Sequence, residues 1–211
     1  MNSTSFLQLG IDEAGRGPLA GPVAVAVVGI KDEAIVEALF PDGIKDSKKM
    51  SEKQRRFVFN SIKRYAKEDR LVFACALISA HSIDEIGIVP SCTAGVGGVL
   101  GRITCHVQQE ILLDGRLKAP MQYINQTAYD KGDATYPAIA LASVVAKCTR
   151  DERMVELGRT YPAYGFEVHK GYGTNAHYEA LLRHGLCKEH RRTFLKRFLV
   201  SKENPHEGSR V

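Results

Sequence analysis

The chain has 211 residues, 44% hydrophobic and 25% charged, an ordinary globular composition long enough for one well-buried core. Its five cysteines, at 75, 92, 105, 148 and 187, are odd in number and never closer than 13 residues, which excludes a C-x-x-C metal or redox pair and fits a reducing cytoplasm. The formal charge of +5 hides an asymmetry, because residues 1–180 carry 21 Lys+Arg against 21 Asp+Glu whereas 181–211 carry 8 against 3. No basic-then-apolar leader opens the sequence. The longest apolar stretch, residues 18–30, is broken by prolines and glycines well short of a membrane span. A soluble single domain is expected, residues 1–180 forming the core and 181–211 a basic helical segment with a frayed tail.

In chain order, residues 6–11 read as a buried strand, and Asp12 and Glu13 leave its end on opposite sides, where both can reach a cation off the strand tip. Gly15 and Gly17 permit backbone angles and close approach, and Arg16 supplies a fixed charge. This order suits a metal beside a phosphodiester; taken alone it also suits a strand ending in a charged, glycine-rich turn. A dinucleotide-binding turn needs a helix N-terminus directly behind its glycines, but residues 23–28 are β-branched and small and predict a second buried strand. Ser51 caps a helix running to about residue 69, with Phe57, Val58, Ile62 and Tyr65 on its apolar face. Residues 71–78 predict a third strand. The stretch 81–107 is helical at both ends, whereas Gly95, Gly97, Gly98 and Gly101 make its middle a poor helix. Residues 110–115 form an apolar strand ending in an acid, and 121–125 a further short one. A long helix follows over 137–157, then a shorter one over 175–184 closed by Gly185.

The acids recur where strands stop. Asp114 terminates an apolar strand as Asp12 does, and Asp133 sits in a small-residue loop before the long helix. Singly, Asp114 reads as a turn residue and Asp133 as a helix N-terminal charge. Together with Asp12 and Glu13 they offer hard oxygen ligands of the kind Mg²⁺ shares with substrate phosphates. Two such ions roughly 3.5–4 Å apart can drive an in-line phosphodiester displacement. In the tail, Arg183, Lys188, Arg191, Arg192, Lys196 and Arg197 suit either a phosphate-binding surface or a solvated basic face.

Several blocks resemble the type 2 ribonucleases H, and within them ribonuclease HII. They are Gly10-Ile-Asp-Glu-Ala-Gly-Arg-Gly-Pro-Leu-Ala-Gly-Pro22, Lys45-Asp-Ser-Lys-Lys-Met-Ser51, Leu113-Asp-Gly115, Lys131-Gly-Asp-Ala134 with the block 142–151, and the block 161–174 with His190-Arg-Arg-Thr-Phe194. The first block and His169-Lys-Gly-Tyr-Gly-Thr174 together are highly specific. The chain departs from the pattern in the glycine-rich stretch 93–101 and at Tyr136-Pro137.

The resemblance implies an α/β, RNase H-like fold: a mixed central sheet flanked by helices, with a C-terminal helical extension. It implies that Asp12, Glu13, Asp114 and Asp133 are the catalytic, metal-binding carboxylates, with two Mg²⁺ or Mn²⁺ ions as cofactor. It assigns Gly15-Arg16-Gly17 to reading the ribose 2′-hydroxyl, Tyr172 to the sugar at an RNA-to-DNA junction, and Lys48 and Lys49 to phosphates. His169 suits holding the Tyr172 loop. The implied activity is endonucleolytic cleavage of RNA in RNA–DNA hybrids and at single ribonucleotides in DNA, leaving 5′-phosphate and 3′-hydroxyl ends, by a monomer with nucleic acid and no membrane as partner. That activity belongs to ribonucleotide excision repair. The alternatives are a ribonuclease HIII-like nuclease, a resolvase or transposase-type nuclease cutting all-DNA substrates, and a non-catalytic hybrid-binding module.

Overall fold

The computed structural model describes residues 6–41, 43–44, 49–103, 106 and 108–203. Strand β1 (Gln8–Ala14) pairs antiparallel with β2 (Val23–Ile30), which pairs antiparallel with β3 (Leu71–Ile78). On its other side β1 pairs in parallel with β4 (Ile111–Asp114), and β4 with β5 (Gln126–Tyr129), giving the order β3-β2-β1-β4-β5. The helices are α1 (Ala34–Leu39), α2 (Glu52–Lys67), α3 (Ala80–Ile86), α4 (Ile88–Leu100), α5 (Pro137–Thr160), α6 (Phe166–His169), α7 (Asn175–His184) and α8 (Lys196–Glu203).

Every residue of β2 is buried, so the strand is covered on both faces. Ala24, Ala26 and Val28 join one apolar cluster with α2 and α5, and Val23, Val25 and Val27 join another with α4. Small residues on the α5 face let the long helix settle close to the sheet. Backbone meets backbone at Gly10, where a Cβ would stand 2.3 Å from the main chain of Ala138 and Ile139. That contact seats the start of α5 on β1. A third cluster, built on Met154, Leu157, Phe166, Leu181 and Leu195, joins the far end of α5 to the C-terminal helices.

Local signals explain the starts of α2 and α5. Ser51 Oγ accepts from the Gln54 N–H (3.2 Å) while the Gln54 side chain accepts from the Ser51 N–H (2.8 Å), a reciprocal cap that starts α2. Pro137 occupies the first turn of α5, where its missing N–H costs nothing.

Four expectations are corrected. Phe57 is exposed, and Phe59 takes its place beside Val58, Ile62 and Tyr65 on the buried face of α2. Gly95, Gly97 and Gly98 lie in a continuous helix, α4, which ends at Leu100, so the helix expected towards residue 107 is absent among the described residues there; a Cβ at Gly95 would lie 2.6 Å from Val25 Cγ2 and 2.8 Å from Ile78 Cδ1, so its lack of side chain brings the helix onto the sheet. Tertiary packing there outweighs a propensity cost of about 1 kcal/mol per glycine. Residues 121–125 form a turn with Met121 and Ile124 exposed, and the strand starts at Gln126, whose amide bonds the backbone of Ala119 and Tyr123. Finally, β1 runs on through Asp12 and Glu13, which lie within the ladder opposite Ala26 and Val25.

Candidate active site

The sheet brings the acids together. The parallel register pairs Gly10 with Leu112 and Ile11 with Leu113, so the next step along both strands sets Asp12 beside Asp114. Alternation along β1 turns Asp12 to the α5 face with Gly10, where it hydrogen-bonds Ser143, and turns Glu13 to the other face with Ile11. Asp12 Oδ1 also accepts from the Glu13 N–H (2.7 Å). Burial, and then the neighbouring Glu13 and Asp114 carboxylates, hold the Asp12 carboxyl well above the usual carboxylate range. Asp133, 3% exposed in the short 3-10 turn Gly132–Ala134, donates its N–H to Asp114 Oδ1 (3.3 Å).

Asp12, Glu13 and Asp114 line a cleft of about 330 Å³ whose walls include residues 15–17, Lys147, Arg150 and Tyr172. Asp133 is not on that wall; it stands behind Asp114. A larger hollow of about 540 Å³ beside Phe40 and Phe57 contains none of the acids. Among the described residues no three Asp, Glu, His or Cys side chains are arranged to hold a metal ion on their own. The donor set is nevertheless all carboxylate oxygen, and its mutual repulsion is what a divalent cation relieves. Such a set fits Mg²⁺ or Mn²⁺, which leave coordination positions to water and substrate phosphate.

The turn after β1 is held from below. Gly15 has φ +92°, and a Cβ there would lie 1.9 Å from Arg150 Nε, so glycine is required. Gly17 differs from the expectation: its φ is not in the left-handed region, and no atom of the described residues stands within 4 Å of a Cβ built on it. The fold gives Gly17 no reason to be glycine. Arg16 Nη1 donates to Glu13 Oε1 (3.2 Å). Arg191, counted with the basic tail by charge, is fully buried and donates to the carbonyls of Gly15 (2.7 Å), Arg16 (2.8 Å) and Gly21 (3.0 Å). Arg150, also buried, donates to Pro22 O (2.9 Å) and Ala20 O (3.2 Å). Sequence reasoning missed Arg150, although it lies four residues from both Ala146 and Met154 on the buried side of α5, where a charge is out of place. Charge patterning held no signal for Arg191.

Tyr172 is 47% exposed on the cleft wall, its ring centroid 6.0 Å from the Arg150 guanidinium. Its loop turns at Gly171, where φ is +82° and a Cβ would meet Ala20 O at 2.4 Å; Gly171 O accepts from the Leu19 N–H (2.8 Å). Three histidines fix the loop from behind. Cys187 N–H donates to His190 Nδ1 (2.9 Å), so His190 carries its proton on Nε2 and gives it to His177 Nε2 (3.1 Å). His177 Nδ1–H then donates to Tyr172 O (2.9 Å). His169 takes the Gly171 N–H on Nδ1 (3.1 Å) and gives its Nε2–H to Tyr164 O (2.7 Å). Burial lowers the His177 pKa and holds His190 down at about 4, which keeps the neutral N–H···N chain at neutral pH. Lys49 is exposed and off the cleft wall, and Lys48 lies outside the described residues. Arg183, Lys188, Arg192, Lys196 and Arg197 are exposed.

The ribonuclease HII family model matches residues 9–199. Ribonuclease HII of Bacillus mycoides (strain KBAB4) is 43% identical over 185 residues, covering 88% of this chain and 67% of the relative. Ribonuclease H2 of Pyrococcus horikoshii OT3 superposes with a TM-score of 0.69 at 26% identity, over 94% of this chain and 99% of that one. Bst-RNase HIII, solved in complex with Mn²⁺, shares the fold with a TM-score of 0.68 at 19% identity, over 95% of this chain and 71% of that one. With the match running from β1 into α8 around a cleft of strand-borne acids, this chain belongs to the ribonuclease HII family of nucleases.

Proposed function

We propose that this ribonuclease H, acting on RNA–DNA hybrids as its family does, also nicks duplex DNA at a single embedded ribonucleotide, leaving 5′-phosphate and 3′-hydroxyl ends. The observation that carries the reading is one cleft lined by Asp12, Glu13, Asp114, the Gly15–Arg16–Gly17 turn and Tyr172. Asp12, Glu13, Asp114 and Asp133 would hold two divalent ions, Mg²⁺ or Mn²⁺. When bound, the ions supply activation of a water for in-line attack and stabilisation of the leaving oxygen. Ser143 and the Glu13 N–H orient the Asp12 carboxylate, Arg16 steadies Glu13, and Asp133 steadies Asp114 through its N–H.

The turn supplies backbone groups to the ribose 2′-hydroxyl, the feature separating RNA from DNA. Gly17 supports this role, because the space beside it is open and no contact among the described residues demands glycine. The flat Tyr172 ring across the cleft favours the slimmer deoxyribose next to the ribonucleotide. The exposed Lys49, and Lys48 beside it in sequence, would meet phosphates. We take the protein to work as a monomer in the cytoplasm.

The test is cleavage with Mg²⁺ of three duplexes of one sequence: a continuous hybrid, DNA with one ribonucleotide, and all-DNA. Cutting of the first two with 5′-phosphate ends is expected. All-DNA cutting at a similar rate, or 2′,3′-cyclic phosphate ends, which mean attack by the 2′-oxygen in place of water, would overturn the reading.

A further inference from the structure

Two guanidinium groups lie buried under the turn, and neither forms a salt bridge with a carboxylate among the described residues. Burying a charge without a counter-ion is costly, so the carbonyls that receive it must be held firmly. Arg191 takes three of them in a fork, two from the turn itself. Its segment is locked in place as well. Arg191 N–H donates to Leu19 O (2.8 Å), Gly21 N–H donates to Glu189 O (2.8 Å), and Ala20 pairs with His190 as an antiparallel bridge.

The consequence follows from peptide geometry. No peptide bond among the described residues is cis, so each N–H points opposite to the carbonyl of the same unit. Drawing the Gly15 and Arg16 carbonyls inward to the buried guanidinium therefore turns the Arg16 and Gly17 N–H groups outward. Neither N–H has a hydrogen-bond partner among the described residues, and Gly17 is exposed on the cleft wall. A cation on the carbonyl side also polarises both peptides and strengthens those donors.

We propose that Arg191 is a positioning residue for ribose recognition: it fixes the polarity of the Gly15–Gly17 turn so that two N–H donors, and no carbonyl, face the 2′-oxygen, a role that rests on reading the turn as the ribose contact. Arg191 touches no substrate. Burial and the neighbouring Arg150 lower its pKa to about 9, which leaves it a cation at neutral pH.

Arg191→Lys tests this, because lysine keeps the charge but lacks the planar fork. Affinity is read by fluorescence anisotropy in EDTA for two duplexes that differ by one 2′-hydroxyl. The wild type is expected to prefer the ribonucleotide by about 10-fold, the scale of one or two net hydrogen bonds. In Arg191→Lys the preference should fall towards one while all-DNA affinity and its salt dependence stay the same. An equal loss on both duplexes, or an unchanged preference, would overturn the role of Arg191. A wild type without preference would instead overturn the ribose reading itself, and the positioning role with it. Should the variant fail to fold, backbone amide NMR on the wild type decides. The Arg16 and Gly17 N–H signals should shift with the ribonucleotide duplex relative to its deoxy twin, and equal shifts with both would overturn the proposal.

Discussion

The two glycines of the turn should separate folding from function when each is changed to alanine. At Gly15 the φ of +92° strains an L-residue, and the new methyl would collide with Arg150 Nε. Left-handed strain costs about 1–3 kcal/mol. Pushing Arg150 off Pro22 O and Ala20 O adds about 1–3 kcal/mol for buried groups left unsatisfied. A chain of this size loses about 2–4 °C of Tm per kcal/mol, so Gly15→Ala should melt at least about 4 °C lower. At Gly17 the methyl meets nothing, and removal of glycine's freedom in the unfolded chain stabilises by about 0.4–1 kcal/mol. Gly17→Ala should therefore melt at or slightly above wild type. Yet it places a methyl where the ribose has to touch the backbone, and losing that hydrogen bond alone, about 0.5–1.5 kcal/mol, lowers kcat/KM on a hybrid about 2- to 13-fold. Differential scanning fluorimetry and steady-state cleavage of one hybrid check both halves. A Gly17→Ala protein with full activity would refute contact between turn and substrate, and an unshifted Gly15→Ala melt would refute the strain reasoning.

Asp12→Asn should abolish cleavage and raise Tm without metal, because a buried carboxyl repelled by Glu13 and Asp114 is replaced by a neutral group; Mg²⁺ should raise the wild-type Tm more than the variant's, and equal Mg²⁺ shifts would remove Asp12 from the metal site. Acid should weaken the fold through His190: unfolded histidine takes a proton near pH 6.5 and the buried one only at about 4, so stability is full above 6.5 and declines as pH falls to about 4. The loss is on the order of 3 kcal/mol, and His190→Phe should flatten the Tm-against-pH curve in that window. Tyr172→Ala should depress cutting at an isolated ribonucleotide more than within a continuous hybrid, measured side by side; equal losses would make the ring a general duplex contact. Replacing the exposed Arg192, Lys196 and Arg197 with serine should flatten the salt dependence of duplex affinity for RNA-containing and all-DNA duplexes alike, whereas an unchanged slope would leave them a solvated face.

Much of what depends on near neighbours was legible in the sequence, although the apolar face of α2 at Phe57 and the start of β5 were not. The Ser51 cap, the β-branched run of β2 and the acids at the ends of β1 and β4 each carry a local signature, and the sheet register then sets Asp12 beside Asp114. The supports of the site depend on contacts across the fold and left weaker traces. Arg191 reaches Gly15 from 176 positions away, and by charge alone it looks like any tail cation. The His190–His177–Tyr172 chain closes only once α7 has packed. Gly95 misled because helix propensity ignores the sheet side chains that its missing Cβ lets in.

The most direct test is a crystal structure of Asp133→Asn, expected to be inactive, bound to a duplex with one ribonucleotide. The 2′-oxygen should lie about 2.7–3.2 Å from the Arg16 or Gly17 N–H, with the adjacent phosphate against Asp12 and Asp114 and the Tyr172 ring on the neighbouring deoxyribose. A duplex seated in this cleft with its ribose turned away from residues 15–17, or seated on another face, would contradict the account.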